Sequence, residues 1–223
     1  MNSISKSFTS ERAGNSAIFS APLGAAKKGY LEITSGISNF DLTGDSATGD
    51  LFRSQFVGQI PDVRTRNKTV AIHYHLSLTE WFQHRFLANR HAAKVILNTS
   101  IPWQIEIRGG VAHLDADLRE FQLRSLVVTG GVAETHILLP RPLGTVPIYL
   151  ASGVSQLTLI RPRGVSAWLK VEGGVSKLAF DDRSYGSIGG GIRLETPEYK
   201  ESTNRYDITI RGGVSNLIIR TQM

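Results

Sequence analysis

The sequence predicts an all-β protein, a β-solenoid or β-helix-like stack of glycine-centred rungs with a period of about 21–22 residues. Three observations carry that prediction. One glycine-centred motif recurs in six copies. Apolar residues alternate with polar ones on both sides of each glycine. The composition, 41% hydrophobic and 20% charged with 22 glycines in 223 residues, is that of a chain able to bury a core.

The copies run Leu31–Leu42 around Gly36, Ile105–Ala116 around Gly110, Leu126–Ile137 around Gly131, Ile148–Leu159 around Gly153, Leu169–Phe180 around Gly174, and Ile208–Ile219 around Gly213. The four glycines from 110 to 174 lie 21 or 22 residues apart, and the next follows after 39, which places an inserted loop at Asp181–Arg205. Between the first two copies a longer excursion predicts strands at Leu51–Val57, Thr69–Leu76 and Ala93–Leu97.

Counted from the central glycine, positions −5, −3, +1, +4 and +6 are apolar, with Thr135 the polar exception at +4. Period-two alternation aims these side chains at one face of a strand. The spacing widens to four across the glycine, so the strand turns a corner there, and the expectation is that glycine supplies unusual backbone angles. A rung of two short strands cannot bury its apolar face alone, so neighbours stack. In-register stacking predicts one interior column of Val111, Val132, Val154 and Val175. An antiparallel sandwich with chance Gly-Val turns does not explain six copies of so detailed a motif.

Residues 1–22 read as a Ser-rich, partly ordered N-terminal arm, and 23–223 as one β domain with insertions near 77–92 and 181–205. The apolar stretch Ala17–Ala26 is broken by Ser20, Pro22 and Gly24 and does not read as a secretion signal. Ser77-Leu-Thr-Glu80 fits a capping box, predicting a short helix over about Leu78–His91. Its aromatic face, Trp81, Phe82 and Phe86, suits a cap over an open part of the solenoid better than an anchor on an acidic membrane.

The chain has no cysteine, which excludes disulfides and thiolate metal sites. No window approaches the roughly 18 apolar residues of a membrane span. The expected location is cytoplasmic, or peripheral to the cytoplasmic face of the membrane. The net charge of +6 favours anionic partners. Gly186–Gly191 lacks the Lys-Ser/Thr of a phosphate loop, and there is no nucleophile elbow or RNA-binding aromatic signature.

The order of the pieces resembles the bacterial toast-rack domain family, which includes relatives of cell-wall-active antibiotic response proteins. The resemblance spans about Leu23 to Arg220. It rests on the first glycine-centred copy, then Leu51-Phe-Arg-Ser with Pro61-Asp-Val, then Trp103-Gln-Ile-Glu-Ile leading into the Gly-Gly-Val copies, and finally Tyr206-Asp-Ile-Thr-Ile-Arg-Gly-Gly-Val. It implies a stacked β fold in an envelope- or stress-associated bacterial protein without enzymatic chemistry or cofactor.

Three groups of residues are weighed as a site. His113, Asp115, Glu134 and His136 occupy +3 and +5 of successive rungs on the outer face, where stacking sets His113 beside Glu134 and Asp115 beside His136. Imidazoles and carboxylates are ligands for zinc or manganese. Because +3 and +5 are polar in the other rungs too, two surface charge pairs are the preferred reading and no metal is expected. His73 and His75 share a strand face without a third ligand. The loops after the rungs carry Arg119, Arg141, Arg161, Arg163 and Arg183, and stacking aligns Arg141 with Arg163 at +10 in a candidate anion-binding stripe. Three functions are weighed: a non-enzymatic scaffold or interaction module; a carbohydrate- or metal-binding solenoid with its site on the outer face; and, more weakly, electrostatic binding to nucleic acid. Self-association is expected through a solenoid end at the rung Ile208–Arg220, read as an uncovered strand edge.

Overall fold

Among the described residues the alternating runs fold as strands; of the run Thr69–Leu76, residues 74–76 lie outside them. The computed structural model describes residues 9–34, 36–66, 69–73, 92–151 and 153–222. Its strands are, in order, β1 Thr9–Ala13, β2 Ser16–Pro22, β3 Gly29–Thr34, β4 Ile37–Asp45, β5 Asp50–Val57, β6 Asp62–Arg66, β7 Thr69–His73, β8 Ala92–Asn98, β9 Pro102–Ile107 and β10 Val111–Asp117. They continue as β11 Gln122–Val128, β12 Val132–Leu138, β13 Thr145–Leu150, β14 Val154–Arg161, β15 Ser166–Val171, β16 Val175–Phe180, β17 Arg183–Tyr185, β18 Ile192–Glu195, β19 Arg205–Ile210 and β20 Val214–Thr221.

Each glycine corner hands the chain from one sheet to the other. The first sheet has eleven strands, in the order β1-β2-β5-β8-β4-β10-β12-β14-β20-β16-β17. The second has nine, in the order β18-β15-β19-β13-β11-β9-β3-β7-β6. Both are parallel through their middle, and the apolar positions of both enter one core that includes Trp103, Tyr206, Phe40 and Phe180. The expected valine column is present and longer than the sequence implied: Ile37, Val111, Val132, Val154, Val214 and Val175 sit side by side in register, all buried.

The order of rungs in space departs from the order in sequence at two places. The excursion 45–101 builds outward from the far side of β3/β4, so β9/β10 stacks directly on β3/β4. At the other end β19 lies between β13 and β15, and β20 between β14 and β16. The rung Ile208–Arg220 is therefore interior, and the expectation that it forms the uncovered end is corrected. All rungs share the same apolar columns, so any rung is a template for any other, and the connections decide who stacks on whom. The insertion 181–205 covers the end: β17 runs antiparallel on β16, β18 antiparallel on β15, and Ile188 bridges Val175. At the opposite end β5 and β6 also run antiparallel to their neighbours. Among the described residues, reversed strands thus lie at both ends of the parallel stack.

Within the segment read as an arm, residues 9–22 form a hairpin on β5, burying Ala17, Phe19 and Ala21. The predicted insertion at 77–92, with its capping box and helix, lies outside the described residues up to residue 91, as does His75.

The role assigned to the corner glycines also changes. Gly110, Gly131, Gly174 and Gly213 do not adopt left-handed φ, and a Cβ added there meets the next backbone at 3.5–3.9 Å, an ordinary contact. The close approach is one residue earlier. A Cβ on Gly130 would lie 1.8 Å from the Gly109 carbonyl oxygen, and one on Gly173 would lie 2.4 Å from that of Gly212. Glycine is required there by the proximity of stacked backbones. That proximity lets the ladder run through the corner: Val111 N donates to Gly131 O at 3.0 Å, Val154 N to Gly213 O at 3.0 Å and Val214 N to Gly174 O at 2.9 Å.

Thr135, the polar exception in the core, is buried between Leu114 and Leu157, and its hydroxyl has no hydrogen-bond partner among the described residues. Thr135→Val is expected to raise stability by about 1 kcal/mol, since it removes a buried unsatisfied hydroxyl at nearly constant volume. A higher urea midpoint at unchanged m-value is the expected readout.

Candidate functional site

Outward positions on the eleven-stranded sheet line up across strands. His113 faces Glu134 and Asp115 faces His136, as the repeat arithmetic requires. His113 Nδ1 lies 3.0 Å from Glu134 Oε2, with the side chains 61% and 59% exposed. His136 Nδ1 lies 3.6 Å from Asp115 Oδ1. The four residues form two separate exposed pairs. Among the described residues no three His, Asp or Glu side chains gather into a metal-holding group. Asn39 and Asp41 on β4, and Gln156 and Thr158 on β14, extend the same polar rows.

The five candidate arginines have different surroundings. Arg119 is held by its neighbour Asp117 through Nε at 2.9 Å and Nη2 at 2.6 Å. Its guanidinium is the main cause holding the Asp117 carboxyl below its ordinary range. Arg161 is buried: its two terminal nitrogens donate to Asp181 at 2.7 and 2.6 Å, and its Nε donates to Val165 O at 2.8 Å. Its charge is satisfied inside the protein, so it does not join the expected stripe. Arg183 donates to Glu195 O at 3.1 Å and lies over the Phe180 ring. Arg141 and Arg163 remain exposed and adjacent, and Arg141 Nη2 donates to Arg163 O at 3.3 Å.

Sequence reasoning passed over a cluster on the nine-stranded sheet. Glu32 and Glu106 are in register on β3 and β9, and Arg108 pairs with both, at 3.3 and 2.7 Å. The Tyr30 hydroxyl donates to Glu106. Burial, then the Glu106 bond, pushes Tyr30 up to about 12, while Arg108 holds Glu106 below the usual carboxylate range. One arginine tying carboxylates of two adjacent rungs makes a structural ion-pair network across the sheet. The signal was available: both glutamates occupy the −4 position of their rungs.

No helix among the described residues is long and apolar enough to cross a membrane. A family model described as the N-terminal domain of toast_rack, DUF2154, matches residues 7–160. The crystal structure of a "putative cell adhesion protein" from Clostridium sporogenes ATCC 15579 is similar, with a TM-score of 0.74 and 19% identity over 96% of this chain and 100% of that one. At that identity the likeness is one of fold. No curated protein matches the chain.

Proposed function

The chain belongs to the toast-rack family, and from that premise we propose that it is a non-enzymatic scaffold or protein-interaction module acting in the bacterial envelope stress response. The similar fold of the protein described as a "putative cell adhesion protein" is in keeping with an interaction role. The observation that carries the reading is the outer face of the eleven-stranded sheet. Its polar rows from Asn39 to Gln156 are held in register by the parallel ladder, about 4.8 Å per strand. Such a face is rigid before any partner arrives, so little ordering entropy opposes association.

The test is a pull-down from the native host with two baits, wild type and Asp115→Lys/Glu134→Lys. Both substituted positions are exposed, so the fold is expected to survive. A partner recovered by wild type should drop about tenfold or more with the charge-reversed bait. Equal recovery by both baits counts against this face. The stress assignment has its own readout: transcript of this chain should rise after exposure to a cell-wall-active antibiotic, and a flat response removes that part of the proposal.

A further inference from the structure

We propose that the loop edge presenting Arg141, Leu143, Arg163 and Arg220 is a docking surface for an anionic lipid bilayer. Arg141 and Arg163 occupy equivalent positions of adjacent rungs, and Arg141 rests on the Arg163 carbonyl. Arg220 joins them because β20 lies beside β14, with Arg220 in register with Ile160, three residues before Arg163. Among the described residues none of these three arginines forms an ion pair. The edge therefore presents three uncompensated guanidinium groups on a chain whose net charge is +6.

Leu143 is the second part of the surface. It is 56% exposed, more than Ile18 at 47% or Val57 at 40%. It does not stand on a loose loop. Pro140 O accepts a bond from the buried Tyr206 hydroxyl at 2.5 Å, Gly144 N donates to Asn204 Oδ1 at 2.7 Å, and Gly144 O accepts from Arg205 N at 3.2 Å. Gly144, at φ 86°, makes the turn that leaves the leucine outward. The neighbouring loop is fixed in the same way, since Arg161 reaches from below to Val165 O and Asp181. The buried Arg161 thus positions the exposed Arg163.

An apolar tip on a pinned loop, flanked by arginines, matches the boundary of a bilayer. Guanidinium groups bind lipid phosphates, and a leucine enters the acyl region beneath them. A nucleic acid would use the arginines and leave Leu143 in water. Attraction of this kind is additive and weak, about fivefold in partitioning per basic group near an anionic surface, and it fades with salt.

Co-sedimentation of the full chain with phosphatidylcholine vesicles, with and without phosphatidylglycerol, tests the proposal. Binding is expected only to the phosphatidylglycerol vesicles and should fall with salt. Arg141→Gln/Arg163→Gln should weaken it about twentyfold or more. Leu143→Ser should weaken it while leaving the salt dependence in place. The proposal is overturned by absence of binding to the anionic vesicles, by equal binding to both kinds, or by variants that sediment like wild type. Retention on a single-stranded oligonucleotide with none on vesicles would assign the edge to nucleic acid instead. The vesicle assay needs no protein partner, so its failure leaves the interaction reading of the sheet face untouched.

Discussion

Gly130→Ala is expected to destabilise the protein by about 3 kcal/mol or more, while Gly131→Ala, one residue away, should change stability by less than about 1 kcal/mol. A Cβ at 130 lands 1.8 Å from a backbone oxygen of the neighbouring rung, and neither backbone can yield without breaking the ladder on both sides. At 131 the nearest atom is 3.9 Å away, and the residue has no left-handed φ to lose. Alanine there also reduces the freedom of the unfolded chain. Urea midpoints of the two variants separate the accounts. Equal losses would mean that glycine serves backbone angles after all, and that rung proximity is not what limits the corner.

The second large effect is expected at Asp181. Its carboxylate accepts both terminal nitrogens of Arg161, whose side chain is 4% exposed, and also accepts the Thr221 hydroxyl at 3.3 Å. Asp181 itself has φ 55°, a conformation asparagine tolerates, so Asp181→Asn removes the charge without adding backbone strain. A buried arginine is then left without its counter-charge, at a cost of about 3 kcal/mol. Arg161→Met/Asp181→Asn should recover part of that loss, because neither charge then remains buried alone. The pH dependence follows from the same pair. Burial pushes the Asp181 carboxyl up, but the hydrogen bonds and charge of Arg161 outweigh it and hold the folded value below 3.8. As pH falls, the unfolded chain therefore takes up this proton first. The stabilisation is present above the unfolded value and is lost as pH falls through the lowered one. The gap in stability between wild type and Asp181→Asn should close over that acid range and stay constant above it. A gap that persists unchanged below it would show that the ion pair is not its source.

Much of this architecture is legible in the repeat. The glycine spacing and the apolar positions give the rung, its corner, the valine column and the facing of His113 with Glu134. These follow from local periodicity, which the chain carries residue by residue. Rung order does not, because β13, β15 and β19 present the same apolar pattern and nothing in a repeat says which copy lies beside which. Arg220 was invisible as a neighbour of Ile160 for that reason. Arg161 was misread for a related one: it stands two residues before Arg163 but closes strand β14, whose alternation turns it inward, and only Asp181 from another rung explains why a charge is tolerated there. Leu143 is an ordinary leucine in sequence and becomes distinctive through its exposure.

Placing β19 and β20 between rungs that precede them in the chain has a consequence for how the molecule is made. On the ribosome, β13 to β16 emerge before residues 205–222 do. Until then β15/β16 can close on β13/β14 in the same register they later share with β19/β20, with Val175 beside Val154 in place of Val214. That shortcut is native-like in every local respect and lacks only one rung. The nascent chain must reopen it, or hold it open, to seat its last two strands. The slow step of folding is therefore expected to be the wedging apart of a correctly aligned pair, with no error of register to repair.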